Sequence, residues 1–121
     1  MTTNSTFFDT INNSATERAL HAARHMVGAA SQAPAPYAVS ADWENVTLRQ
    51  SVAPGDSRTV SRWPGKWIDD APESIRAALH EMWRLTPTHG VVGGVNTADA
   101  RIRDGERIKD LRAQVRDALG A

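Results

Sequence analysis

The sequence predicts an α+β fold with a long N-terminal helix, a central β-hairpin, a compact middle helix and a charged C-terminal helix. Three observations predict it. Apolar residues Phe8, Ile11, Ala15, Ala19, Ala22 and Met26 step by three or four, the period of one helix face. Around Ala53-Pro54-Gly55-Asp56 the pattern changes to short alternating runs, with proline and glycine where a type II turn places them. From Asp70 onward the helical period returns twice, on either side of a glycine-rich connection.

The N-terminal stripe permits two readings. One helix can span residues 6–30, or Asn12-Asn13-Ser14 can break it, with Ser14 and Glu17 forming a capping box for a second helix. The stripe keeps its phase across the break, which favours the continuous helix. Its inner face is mostly alanine, which allows close approach to a neighbouring element. Residues 1–30 thus read as a helical arm and residues 38–121 as a small α+β domain that the arm can join.

Two prolines, Pro34 and Pro36, make residues 31–37 an extended linker. Val46 and Leu48 then alternate with Asn45, Thr47 and Arg49, and residues 58–63 form the return strand. A lone hairpin is marginally stable, so it must pack on helices or join more strands. Residues 63–67, Trp-Pro-Gly-Lys-Trp, read as an irregular turn. Asp70, Pro72 and Glu73 read as a helix start, with Asp70 as the cap. Ile75, Ala78, Leu79, Met82 and Trp83 form the inner side of that helix, which ends before Pro87. Residues 88–96 are a glycine-rich connection in which Val91, Val92 and Val95 could form a short strand. The last helix runs from Thr97 to about Leu119. Its narrow stripe is Ile102, Ile108, Leu111, Val115 and Leu119, and its other faces are densely charged.

Composition narrows the function. The 121 residues carry 14 basic and 14 acidic groups. Zero net charge argues against a generic nucleic-acid coat and a DNA mimic, which need a one-signed field. Nearly all the positive charge is arginine, since lysine occurs only at 66 and 109; with abundant alanine, this bias speaks to coding composition. Cysteine is absent, which removes disulfides, thiolate nucleophiles and cysteine metal sites. Aromatic residues make up only 6% and mean hydropathy is -0.45. The resulting thin core favours self-association or docking on a partner. No secretory leader is evident at the N-terminus, and no apolar run approaches the roughly 20 residues that span a bilayer. The expected location is the cytoplasm or the inside of an assembled particle, with no membrane contact.

Four clusters carry possible chemistry. Glu17, His21 and His25 share one helix face at metal-ligand spacing, but Arg24 opposes a cation and a solvated face explains all three. Arg49, Arg58, Arg62 and Lys66, interleaved with Trp63 and Trp67, are the residue types that bind single-stranded nucleic acid. Asp42, Glu44, Asp56, Asp69 and Asp70 dilute that field. Asp69, Asp70 and Glu73 could hold a hard cation, but helix capping uses Asp70 and Glu73. His80 and His89 lack a serine nucleophile at recognisable spacing. The segment from Gly90 to Thr97 lacks the lysine of a phosphate loop.

The expected function is a non-enzymatic protein-interaction or structural module, a small subunit of a homo-oligomer or larger assembly. A virion or mobile-element component, or an accessory subunit of an enzyme, would fit. Arg62, Trp63, Lys66 and Trp67 are the expected partner contacts; no catalytic residue, metal or cofactor is expected. The alternatives are a nucleic-acid-binding accessory protein using Arg49, Arg58, Arg62 and Lys66, and a small metal-dependent enzyme using Glu17, His21 and His25.

Overall fold

The structure is a computed structural model that describes residues 3–86 and 98–120, with side chains from Thr6 onward. The chain is α+β. Helices α1 (Thr3–Asn13) and α2 (Ala15–Met26) precede strands β1 (Tyr37–Ala41), β2 (Asn45–Ala53) and β3 (Asp56–Pro64). A short 3-10 turn (Trp67–Asp70), α3 (Glu73–Leu85) and α4 (Ala98–Ala118) follow. The sheet is an antiparallel meander in the order β1-β2-β3.

The N-terminal helix is two helices, correcting the continuous reading. Ser14 leaves helical geometry at φ -119, ψ 109, and its hydroxyl accepts the Glu17 N–H at 3.1 Å. Asn13 turns its amide onto the Asp9 carbonyl at 2.8 Å, and Arg18 donates to the carbonyls of Ile11 and Asn12 at 2.8 and 3.1 Å. The Ser14 and Arg18 bonds satisfy groups that helix ends leave unpaired: an N–H of α2 and two carbonyls of α1. Ser14 takes a single position between the helices, so the three-or-four spacing of apolar residues runs on in the sequence although the helix itself stops.

The sheet has a third strand, β1, which begins at the last residue of the expected linker 31–37. Tyr37 pairs with Gln50, and the register runs to Ala41 opposite Val46. Asp42 closes this first hairpin, its carboxylate accepting the N–H groups of Glu44 and Asn45 at 2.8 and 2.7 Å. The expected turn at Pro54-Gly55 joins β2 to β3, with Gly55 at φ 76.

The start of α3 also differs. Asp70 is not its cap: Trp67–Asp70 forms the 3-10 turn, Pro72 is the N-cap residue, and no side chain caps the helix. Arg76 reaches back instead, bonding the Ala71 carbonyl at 2.9 and 3.1 Å. In α4, Leu111 and Val115 are buried but Ile102 is 62% exposed, so the packed stripe begins at Ile108 rather than Ile102. His89 and the glycine-rich stretch 88–96 lie outside the described residues.

One apolar cluster joins all layers. Ile11, Ala19, Ala22, Ala23 and Val27 from the helical arm meet Val39, Val46 and Leu48 of the sheet. Ile68, Ile75, Leu79, Met82, Leu111 and Val115 complete it. Strand alternation turns Val39, Val46 and Leu48 toward the helices. The opposite face carries Ser40, Thr47, Arg49, Thr59 and Arg62. A bulge between Leu48 and Arg49 leaves Val60 as the extra residue of β3. Among the described residues, no helix is long and apolar enough to cross a membrane.

Candidate partner-binding site

The site grows from the end of β3. Trp63 pairs with Val46 and is half-buried, while Arg62, Pro64, Gly65 and Lys66 are exposed. Gly65 adopts φ 113, a conformation that side chains resist, and donates its N–H to the Glu44 carbonyl at 2.7 Å. That bond ties the connection after β3 to the β1-β2 turn.

Two cations lie over two indoles. The Arg18 guanidinium carbon is 5.0 Å from the centre of the Trp63 ring, and the Lys66 Nζ is 4.6 Å from that of Trp83. The same Arg18 bonds the last carbonyls of α1, so its position is held from two sides. Between Trp63, Pro64 and Lys66 opens a cleft of ≈ 140 Å³, with Ala15 and Val46 in its wall and Asp70 on its rim. A small-molecule pocket usually begins near ~300 Å³. This cleft is the size for one side chain of a partner.

Trp67 supports the site from beneath. It is 4% exposed, stacks on Trp43 at 5.8 Å with an 8° angle between planes, and donates its indole N–H to the Asp42 carbonyl at 2.8 Å. Trp67, expected as a partner contact, is almost wholly buried: the 3-10 turn rolls its ring into the core, and it reaches the cleft only as part of its lining. Arg18 is the residue that sequence reasoning missed. It lies far from Trp63 along the chain, and only the docking of α2 on the sheet brings the two together.

The four basic residues of the nucleic-acid alternative do not form one patch. Arg49 bonds Ser57 and Thr59 through their hydroxyls at 2.7 to 3.3 Å. The register places Arg62 on that same open sheet face. Arg58 instead pairs with Gln50 on the other side of the sheet, at 2.8 and 3.1 Å, and Lys66 sits against Trp83.

Glu17, His21 and His25 share α2, but His21 meets Phe7 edge-on at 5.5 Å and His25 is exposed. Burial lowers the His21 pKa, against a raising effect of Glu17, and Arg24 lowers it further. Among the described residues, no three His, Asp or Glu side chains gather as a metal site. Asp69 contacts His80 at 3.1 Å on the surface. No protein-family model, no curated protein and no solved structure matches the chain.

Proposed function

We propose that the chain is a protein-interaction module, a small subunit of a homo-oligomer or of a larger intracellular assembly. Trp63 and Lys66, with Arg18, form the contact at the cleft; Arg62, the other expected contact, points to the opposite face of the sheet. The observation that carries this reading is the continuity of one surface: edge strand β3 runs directly into the cleft beside Trp63. Tryptophan and arginine are the residue types that dominate interface energies. A partner side chain entering the cleft would desolvate Trp63 and strengthen the Arg18 cation–π contact. The outer edge of β3 adds main-chain groups for pairing.

Light scattering after size exclusion tests the proposal. The expected particle exceeds the 13.2 kDa of one chain, or a native pull-down retains a partner, and Lys66→Glu abolishes the association. A 13.2 kDa particle at every concentration, with no partner that Lys66→Glu loses, overturns it.

Nucleic-acid binding is a second reading, favoured by Arg49 and Arg62 sharing the open sheet face. Fluorescence anisotropy with single-stranded oligonucleotides at low salt tests it, since charge-driven binding is strongest there. No change in anisotropy removes it.

A further inference from the structure

Helices α2 and α4 end alike. Arg24-His25-Met26-Val27-Gly28 closes one, and Arg116-Asp117-Ala118-Leu119-Gly120 closes the other. Gly28 and Gly120 both adopt φ 71, the left-handed conformation that stops a helix. Val27 and Leu119 each donate to the carbonyl four residues back, at 3.1 and 2.9 Å. Gly28 and Gly120 each donate to the carbonyl three residues back, at 3.2 and 3.1 Å.

The two ends exchange their arginines. Arg24 donates through Nη2 to the Leu119 carbonyl at 3.3 Å, and Arg116 donates through Nη2 to the Val27 carbonyl. A Cβ at Gly28 would lie 3.3 Å from the Arg116 Nη2, so the glycine leaves room for the incoming guanidinium. Between the two helix ends lies a cavity of ≈ 340 Å³, lined by both arginines and Gln32.

The charge there is not balanced. Among the described groups that form the clasp, each helix C-terminus contributes about half a negative charge and each guanidinium a full positive one, leaving about one positive charge in excess. A guanidinium has five N–H donors, and each of these two bonds a single carbonyl. Among the described residues, the ion pairs are His80 with Asp69 and Arg107 with Glu81, so neither Arg24 nor Arg116 meets a carboxylate. The volume lies at the lower end of the roughly 300–1,000 Å³ range of small-molecule sites.

We propose that this clasp is an oxyanion site. One phosphate or carboxylate group of a small molecule sits between Arg24 and Arg116, with Gln32 as a polar neighbour, and the rest of the molecule fills the cavity. Guanidinium forks match both groups bidentately. The site is separate from the Trp63 surface and does not depend on the interaction reading.

The test is an NMR titration of the whole ¹⁵N-labelled chain with inorganic phosphate and, separately, succinate, each against sodium chloride at matched ionic strength. The expected result is saturable movement of the amide signals of Gly28, Ala29, Ala30 and Gly120 with at least one anion. Phosphate alone identifies a phosphate-bearing ligand, and succinate alone a carboxylate. Arg24→Gln is expected to weaken binding about tenfold or more, as loss of a charge-assisted hydrogen bond implies. Arg101→Gln, at an exposed position in the first turn of α4, leaves binding unchanged. Should Arg24→Gln fail to fold, Arg116→Lys, which keeps the charge and a donor, shows the weakening instead. Mutual capping alone predicts no anion response. The proposal is overturned by absent shifts, by shifts that chloride reproduces, or by unaltered affinity in a folded Arg24→Gln chain.

Discussion

Trp67→Phe separates a structural tryptophan from a surface one. The native ring is buried, stacked on Trp43 and bonded through its indole N–H to the Asp42 carbonyl. Phenylalanine keeps an aromatic plane but loses the donor and part of the ring. The lost hydrogen bond costs about 1 kcal/mol, and the stranded carbonyl raises that when water cannot reach it. The missing ring atoms cost a further ~1–2 kcal/mol in transfer and cavity terms. Weaker stacking brings the total to about 3 kcal/mol. For a chain of this length that lowers Tm by about 10 °C. Urea denaturation followed by circular dichroism measures it, because the variant also changes the fluorescence. A loss below about 0.5 kcal/mol, the range of an ordinary surface substitution, would show that the Trp67 ring does not hold the core. The matched variant, Trp63→Ala, is expected to abolish association while costing less stability than Trp67→Ala, since Trp63 is only half-buried.

Three further outcomes follow from single contacts. Ser14→Ala removes the cap of α2 and is expected to lower stability by about 1 kcal/mol in the same denaturation experiment. Gly65→Ala places a side chain at φ 113, costing about 1–3 kcal/mol of backbone strain, although a Cβ there meets no atom within 4 Å. His21 supplies a pH dependence. Its folded-state pKa lies below the ordinary 6.5, so the unfolded chain binds its proton first on acidification. Its contribution is fully present above 6.5 and is lost as pH falls through the lowered folded value. The urea midpoint is therefore expected to be lower at about pH 5 than at about pH 7.5, and less so in His21→Gln; an identical dependence in that variant counts against His21.

The elements with strong periodicity were legible in the sequence, and those defined by one polar contact were not. Ile75, Leu79 and Met82 announce α3 because a wide apolar stripe has no other use. Gly55 after Pro54 announces the β2-β3 turn. Strand β1 was hidden because Ala38, Ser40 and Ala41 are small and carry little strand preference; β2 supplies the pairing that holds them. The break at Ser14 was legible as a capping box, but apolar spacing misled, since Ile11 of α1 and Ala19 of α2 reach one core at a spacing that a single helix would also give. Of the site, Trp63 and Lys66 were found from composition. Their cationic cover was not, because Arg18 reaches Trp63 only through tertiary packing.

The arginine bias, which looked like a property of coding composition alone, has a structural use. Three arginines bond the terminal carbonyls of helices other than their own. Arg18 of α2 takes Ile11 and Asn12 of α1, Arg24 of α2 takes Leu119 beyond α4, and Arg116 of α4 takes Val27 beyond α2. Each contact satisfies orphan carbonyls and places positive charge at a negative helix end. A lysine ammonium could supply the charge but not a rigid planar fork, which lets Arg18 bond two carbonyls while covering an indole. Such contacts matter because the buried face of α2 is Ala19, Ala22 and Ala23, which bury little area each. Helix α2 therefore gains close approach to the sheet from its alanines, and its guanidiniums fasten it at both ends. On that logic Arg18→Lys should loosen α1 and uncover Trp63 together, and hydrogen exchange in α1 that stays unchanged in the variant would show that the two are not coupled.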